Sequence, residues 1–150
     1  MKNIHKLLLI SLGILFSLTS EAGDFNTPEN AVKSLEAAYI NKDIEAAVTA
    51  RDFYTEAKLM LQHIKPQFAN DSEILKETSS VLELAFRAEM KKHGFPDFSN
   101  VKCTLGKPQN ITHFLVKLTE TCIYPDGGDS VQDIHVFKGE KGWRLVNVPK

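Results

Sequence analysis

The sequence has no excess of charge of either sign. Its 18 Lys and Arg face 19 Asp and Glu, a formal net charge of -1. Proteins that hold nucleic acid present a basic face, and this balance supplies none. Cysteine is scarce. Cys103 and Cys122 are the only two; they cannot build a disulfide-rich miniature scaffold, and they leave no Cys-x-x-Cys for zinc. Eight Gly and six Pro are too few for a collagen-like or low-complexity chain. Long apolar runs are lacking too. Leu7–Leu18, broken by Ser11, Gly13 and Ser17, covers 12 residues, whereas a membrane-spanning helix needs about 20. There is no Gly-x-Ser-x-Gly elbow and no phosphate-binding glycine loop. His63, His93, His113 and His135 include no pair at metal-ligand spacing on one helix. The expectation is no metal and no cofactor.

What the chain does have is an ordinary globular composition, 43% hydrophobic and 25% charged over 150 residues, which suits one folded domain. It begins with an address. Lys2, His5 and Lys6 precede the short apolar run, and Ser20-Glu21-Ala22 places small residues before Gly23. A basic start, a short apolar stretch and a small-x-small site predict a secretory signal peptide over 1–22. The mature chain, 23–150, is then expected in the periplasm or outside the cell, with no membrane span after cleavage.

The first half of that chain has helical periodicity. Thr27-Pro28-Glu29 predicts a helix start, with Thr27 as N-cap and Pro28 at the first helical position. Val32, Leu35, Ala38 and Tyr39 follow at helical spacing. Asn41-Lys42-Asp43 breaks the helix, and Asp43 caps a second carrying Ile44, Ala47 and Val48. After a joint at Arg51-Asp52-Phe53, a third helix carries Leu59, Met60 and Ile64 and stops at Pro66. Asp71 or Ser72 caps a fourth, with a stripe of Ile74, Leu75, Val81, Leu82, Leu84, Ala85 and Phe86, closed by Gly94.

From Val101 the period becomes two. Strands are predicted over 101–105, 111–124, 130–138 and 143–148, with turns at 106–109, 125–128 and 139–142. Short connections imply an antiparallel meander, and helices followed by strands imply an α+β fold. In this register Val116, Leu118, Ile134, Val136, Val146 and Val148 share an apolar face roofed by the helices. The other face carries Lys117, Thr119, Thr121, Asp133, His135 and Asn147, with Phe137, Trp143 and Leu145. A one-residue slip or a bulge would exchange parts of these sets.

The cysteines conflict with this register. In an oxidising compartment Cys103–Cys122 is the available internal disulfide. A turn at 106–109 sets Cys103 near His113, so Cys122 falls roughly 30 Å away at the strand rise, whereas bridged Cα atoms lie within about 7 Å. Either the turn lies elsewhere or the thiols are unpaired.

The pattern resembles the nuclear transport factor two-like superfamily, of the small exported bacterial kind. Thr27-Pro28-Glu29-Asn30-Ala31-Val32-Lys33 through Asn41-Lys42-Asp43-Ile44-Glu45-Ala46-Ala47 is similar to its opening helix, break and second helix. Val136-Phe137-Lys138-Gly139-Glu140-Lys141-Gly142-Trp143-Arg144-Leu145-Val146 is similar to its closing hairpin. The resemblance implies a cone of helices wrapped on a strongly curved antiparallel sheet, with a pocket at the open end. It does not imply one function, because the superfamily holds isomerases, dehydratases, hydrolases, binding domains, oligomerisation modules and immunity proteins.

Two functional expectations follow. The first is a binding domain without its own catalysis, taking a small ligand or a protein partner through Tyr124, His135, Phe137 and Trp143, since aromatic residues supply anchoring area. An immunity-type protein is one version of this expectation. The alternative is an isomerase- or hydrolase-like enzyme, with Asp133 and His135 as acid and base inside an apolar cavity. A homodimer packed sheet on sheet is a third arrangement the pattern allows.

Overall fold

The computed structural model describes residues 23–149; the segment read as a signal peptide lies outside them. Four helices come first: α1 Pro28–Ile40, α2 Ile44–Thr49, α3 Phe53–Ile64 and α4 Ser72–His93. Each starts on a side chain that accepts a backbone N–H left unpaired by the helix. Thr27 accepts from Asn30, Asp43 from Ala46, Asp52 from Thr55, and Asp71 from Glu73 and Ile74. Pro66–Phe68 forms one 3-10 turn between α3 and α4. Gly94 ends α4 at φ +81°, a conformation that glycine adopts without steric cost. No helix among the described residues is long and apolar enough to cross a membrane.

The strands are β1 Lys102–Leu105, β2 Gln109–Asn110, β3 Leu115–Ile123, β4 Asp129–Gly139 and β5 Gly142–Val146. They form a curled antiparallel sheet in the order β1-β3-β4-β5. β1 and β2 both lie against β3, so the sheet is four strands wide. The fold is α+β, helices first and sheet second, as the change of period implies.

The first turn is not at 106–109. Leu105 faces Glu120 and Gln109 faces Lys117, so four steps on one strand oppose three on the other. Residues 106–108 are a bulge in one long interrupted strand. The Gly106 N–H still donates to the Thr119 carbonyl at 2.8 Å, whereas Pro108 has no N–H to offer. The chain reverses over 111–114 instead, where Thr112 Oγ1 accepts from the N–H groups of Phe114 and Leu115. That displacement slides Cys103 directly opposite Cys122, and the two form a disulfide with Cα atoms 4.0 Å apart.

The last turn corrects a second expectation. Gly139 faces Gly142, so Val136 faces Leu145 and His135 faces Val146. The strand is one residue out of the predicted phase. Leu145 and Trp143 therefore lie on the face of Val136, and Val146 lies on the face of His135. The phase is fixed by Gly142 at φ +93°, where an added Cβ would come 2.5 Å from the Phe25 carbonyl. The N–H of Trp143 donates to that same carbonyl.

The main core joins Ala31, Val32, Leu35 and Ala38 of α1 and Ala47 of α2 to Val116, Leu118, Val136 and Leu145. The helices thus roof the apolar face of the sheet. A second cluster, Ala57, Leu61, Ala69 and Leu75, binds α3 to α4. Here too the predicted stripes shift. α3 buries Phe53, Glu56, Ala57 and Leu61, while Ile64 is exposed. Val81 and Leu84 of α4 point to solvent, because a strict 3.6 period from Leu75 passes through Leu82 and Phe86 instead.

Candidate functional site

A groove of about 980 Å³ opens between α1, the loop after α4 and the inner face of the sheet. α1 contributes Val32, Leu35, Glu36 and Tyr39; the loop gives Pro96 and Phe98; the sheet gives Glu120, Gln132, Ile134 and Leu145. The groove runs to the β4 edge because β5 stops at Val146, opposite His135. Toward Val131, β4 therefore has no β5 residue beside it.

The inner face of β3 is not wholly apolar. Val116, Leu118, Glu120 and Cys122 share it by strand alternation, and Glu120 is only 2% exposed. One of its carboxylate oxygens accepts from Gln132 Nε2 at 2.6 Å, its neighbour across the β3–β4 pair. Across the groove stands Glu36. Burial, the hydrogen bond with Glu120 and the charge of Glu120 push the Glu36 carboxyl up to about 7; Lys33 opposes them. The Glu36 carboxyl therefore keeps its proton well above the usual carboxylate range. Neither Glu36 nor Glu120 joins any ion pair among the described residues.

At the mouth the Tyr39 ring stacks on Phe98 with centroids 6.2 Å apart and meets Phe95 at 6.1 Å. Burial raises the Tyr39 pKa, against the opposing pull of Arg51. Arg51 also lines the groove, behind Tyr39. Its guanidinium contacts Glu56 at 2.7 Å and packs over the rings of Phe53 and Phe86, and its buried Nε has no hydrogen-bond partner.

The residues expected to form the site are dispersed. Asp133 lies on the outer face, half exposed, and reaches the groove only at its rim; Lys117 Nζ and Thr119 Oγ1 donate to it, each at 2.9 Å. Those two donors hold its pKa below the usual carboxylate range. His135, also on that face, borders the groove at the β4 edge. Burial lowers its pKa, with Asp133 opposing and Lys117 assisting. Tyr124 lies beyond the end of β3, its hydroxyl 3.2 Å from that of Ser130. Phe137 packs with Phe114 on the outer face. Trp143 backs the main core, with Lys138 Nζ over its ring. Of the four expected contact residues, His135 alone lines the groove. Glu36 and Glu120 were missed, although stepping by two from Val116 and Leu118 leads straight to Glu120.

Among the described residues, one set of potential metal donors comes together: Cys103, Glu120 and Cys122. Both sulfurs are consumed by the disulfide, which leaves a single carboxylate and no ligand set.

No protein-family model and no curated protein matches this sequence. Solved structures do. The chain is similar to NTF2-like proteins. One, from Campylobacter jejuni, is described as a candidate NTF2-like transpeptidase; it is 12% identical with a TM-score of 0.41, over 81% of this chain and 99% of that one. Another, from Shewanella oneidensis, is described as an NTF-2 like protein of unknown function. It is 13% identical with a TM-score of 0.42, over 79% of this chain and 90% of that one.

Proposed function

We propose that this protein is an exported binding domain without catalysis of its own, and that it holds a small ligand in the groove between α1 and the sheet. The groove carries the reading. Its 980 Å³ stands at the upper end of the range of about 300–1,000 Å³ typical of small-molecule sites. Its wall combines apolar side chains with a few convergent polar groups, the composition that fixes a ligand's orientation. The alternative, an isomerase or hydrolase using Asp133 and His135, finds less support. Asp133 reaches only the groove's rim, where it is half exposed and paired with Lys117, whereas general acid–base work calls for a group free to take the substrate proton.

Native mass spectrometry of residues 23–150 against a metabolite library, with thermal shift beside it, tests the proposal. The expected result is a bound small molecule that raises Tm in proportion to its concentration. Ile134→Trp, which fills the groove from the sheet side, should abolish that shift while leaving the far-UV spectrum unchanged. A library with no binder, or a binder indifferent to Ile134→Trp, would overturn it.

A further inference from the structure

We infer that the ligand of this groove is a small organic cation bearing N–H donors, an amine or amidine on an apolar body, seated between the Glu36–Glu120 carboxyl pair and the Tyr39–Phe98 rings. The inference rests on the binding-groove reading above and adds the ligand's chemistry.

Charge is the first ground. Glu120 is almost wholly buried, and its hydrogen-bond neighbours, the Gln132 amide and the Glu36 carboxyl, carry no positive charge. Neither carboxyl is in an ion pair with a cation of the described residues. Arg51 is paired with Glu56, and Lys117 with Asp133 on the outer face. Lys33 is exposed on α1, and burial favours the neutral form of His135. The groove wall therefore carries two acids, Glu36 and Glu120, against one guanidinium, Arg51, whose charge Glu56 already meets. Burying an uncompensated carboxylate is costly, and a bound ammonium would offset that cost with charge-assisted hydrogen bonds.

The second ground is aromatic. Tyr39 and Phe98 both line the groove and stack nearly parallel, at 9°. An aromatic face attracts a cation through its negative quadrupole, and the attraction grows when water is excluded. Carboxylates and aromatic rings on one apolar wall select against an anion and gain little from a neutral polar molecule.

The third ground concerns the proton. Glu36 holds its proton up to about pH 7 and loses it above. A cation favours the ionised form of Glu36, so its binding releases a proton and tightens as pH rises. The groups that set this response are Glu120 from β3, Lys33 and Tyr39 from α1, Arg51 from the α2–α3 joint, and His135 and Asp133 at the β4 rim.

The test is calorimetric titration of residues 23–150 with phenethylamine, tyramine and benzamidine, against phenethyl alcohol and phenylacetate. At least one of the three cations should bind tenfold or more tighter than the neutral and anionic compounds. Its affinity should rise about tenfold from pH 6 to pH 8, as a site with a pKa near 7 loses its proton. E36Q should abolish that rise. E120Q should weaken the cation at both pH values, with far-UV circular dichroism checking the fold. If the alcohol or phenylacetate binds as well as the cations, the cation claim is overturned and the groove reading stands. If no panel member binds, the cation claim is overturned, and the library screen decides the groove reading separately.

Discussion

Glu56 and Asn147 stand 91 positions apart and share two hydrogen bonds. Both the backbone N–H and the side-chain amide of Asn147 donate to the Glu56 carboxylate, at 3.1 and 3.0 Å. The same carboxylate receives Arg51 at 2.7 Å. One buried acid on α3 therefore holds the α2–α3 joint and the chain's last segment together. Removing it leaves a guanidinium that is largely out of water without a partner. Glu56→Ala should cost about 3 kcal/mol or more, in the range measured when one half of a buried pair is deleted. Urea unfolding followed by circular dichroism reads this directly. Asn147→Ala, which leaves the ion pair intact, should cost less.

The inner and outer faces of the elements make a second prediction. Leu118 is fully buried under α1, whereas Leu84 on α4 is 66% exposed. Leu118→Ala should destabilise by about 3 kcal/mol, from lost transfer energy and the residual cavity. Leu84→Ala should leave the urea midpoint unmoved. Equal effects would mean that α4 packs differently from the arrangement described.

The disulfide joins residues separated by 19 positions. Closing a loop of that size restricts the unfolded chain by about 3 kcal/mol on the chain-entropy account. Reduction, or Cys103→Ser with Cys122→Ser, should lower stability by about that amount. Intact mass of unreduced protein before and after thiol alkylation should show no alkylated cysteine.

Protonation of Glu36 gives a signed pH dependence. Its folded value, about 7, lies above its ordinary 4.5, so the folded state binds this proton more tightly than the unfolded chain does. The stabilisation is complete below pH 4.5 and is lost as pH rises through 7. His135 works in the opposite direction: with its folded pKa lowered, stability falls as pH drops below its ordinary 6.5. The two are separated by difference. Relative to the parent protein, Glu36→Gln should gain stability between pH 5 and pH 8. A difference that stays flat across that interval would contradict the carboxyl pairing.

Much of this fold was legible because local chemistry and tertiary packing agree. Thr27, Asp43 and Asp71 each precede a helical pattern, and each caps one. The even positions of β3 and β4 alternate cleanly, so their shared face was readable from Val116, Leu118, Ile134 and Val136. The first hairpin was not. Gly106 and Pro108 are turn formers in isolation, yet here they make a bulge, and the actual reversal at 111–114 contains Ile111 and Phe114, which look like strand residues. Only pairing with β3 decides between the two. The predicted turn at 139–142 is where the closing hairpin reverses, with Lys138 opposite Trp143; the face assignment, which set Val146 beside Val136, was one residue out of step with that turn. Most of the site was illegible for a related reason. An acid in strand alternation reads as solvent-facing by its type, and Glu36 meets Glu120 only because the sheet curls beneath α1.

The rim of the sheet along β5 is closed by the chain's own backbone. Trp143 donates to the Phe25 carbonyl, Leu145 to that of Ala50, and Asp52 to that of Leu145. Its main-chain groups are already taken, so a foreign strand cannot zip onto β5. The opposite flank, β1, carries Lys102, with Lys107 and Pro108 just beyond, residues that discourage edge-to-edge growth. Strand addition is thus obstructed along β5 by hydrogen bonding and at β1 by charge and an imino ring.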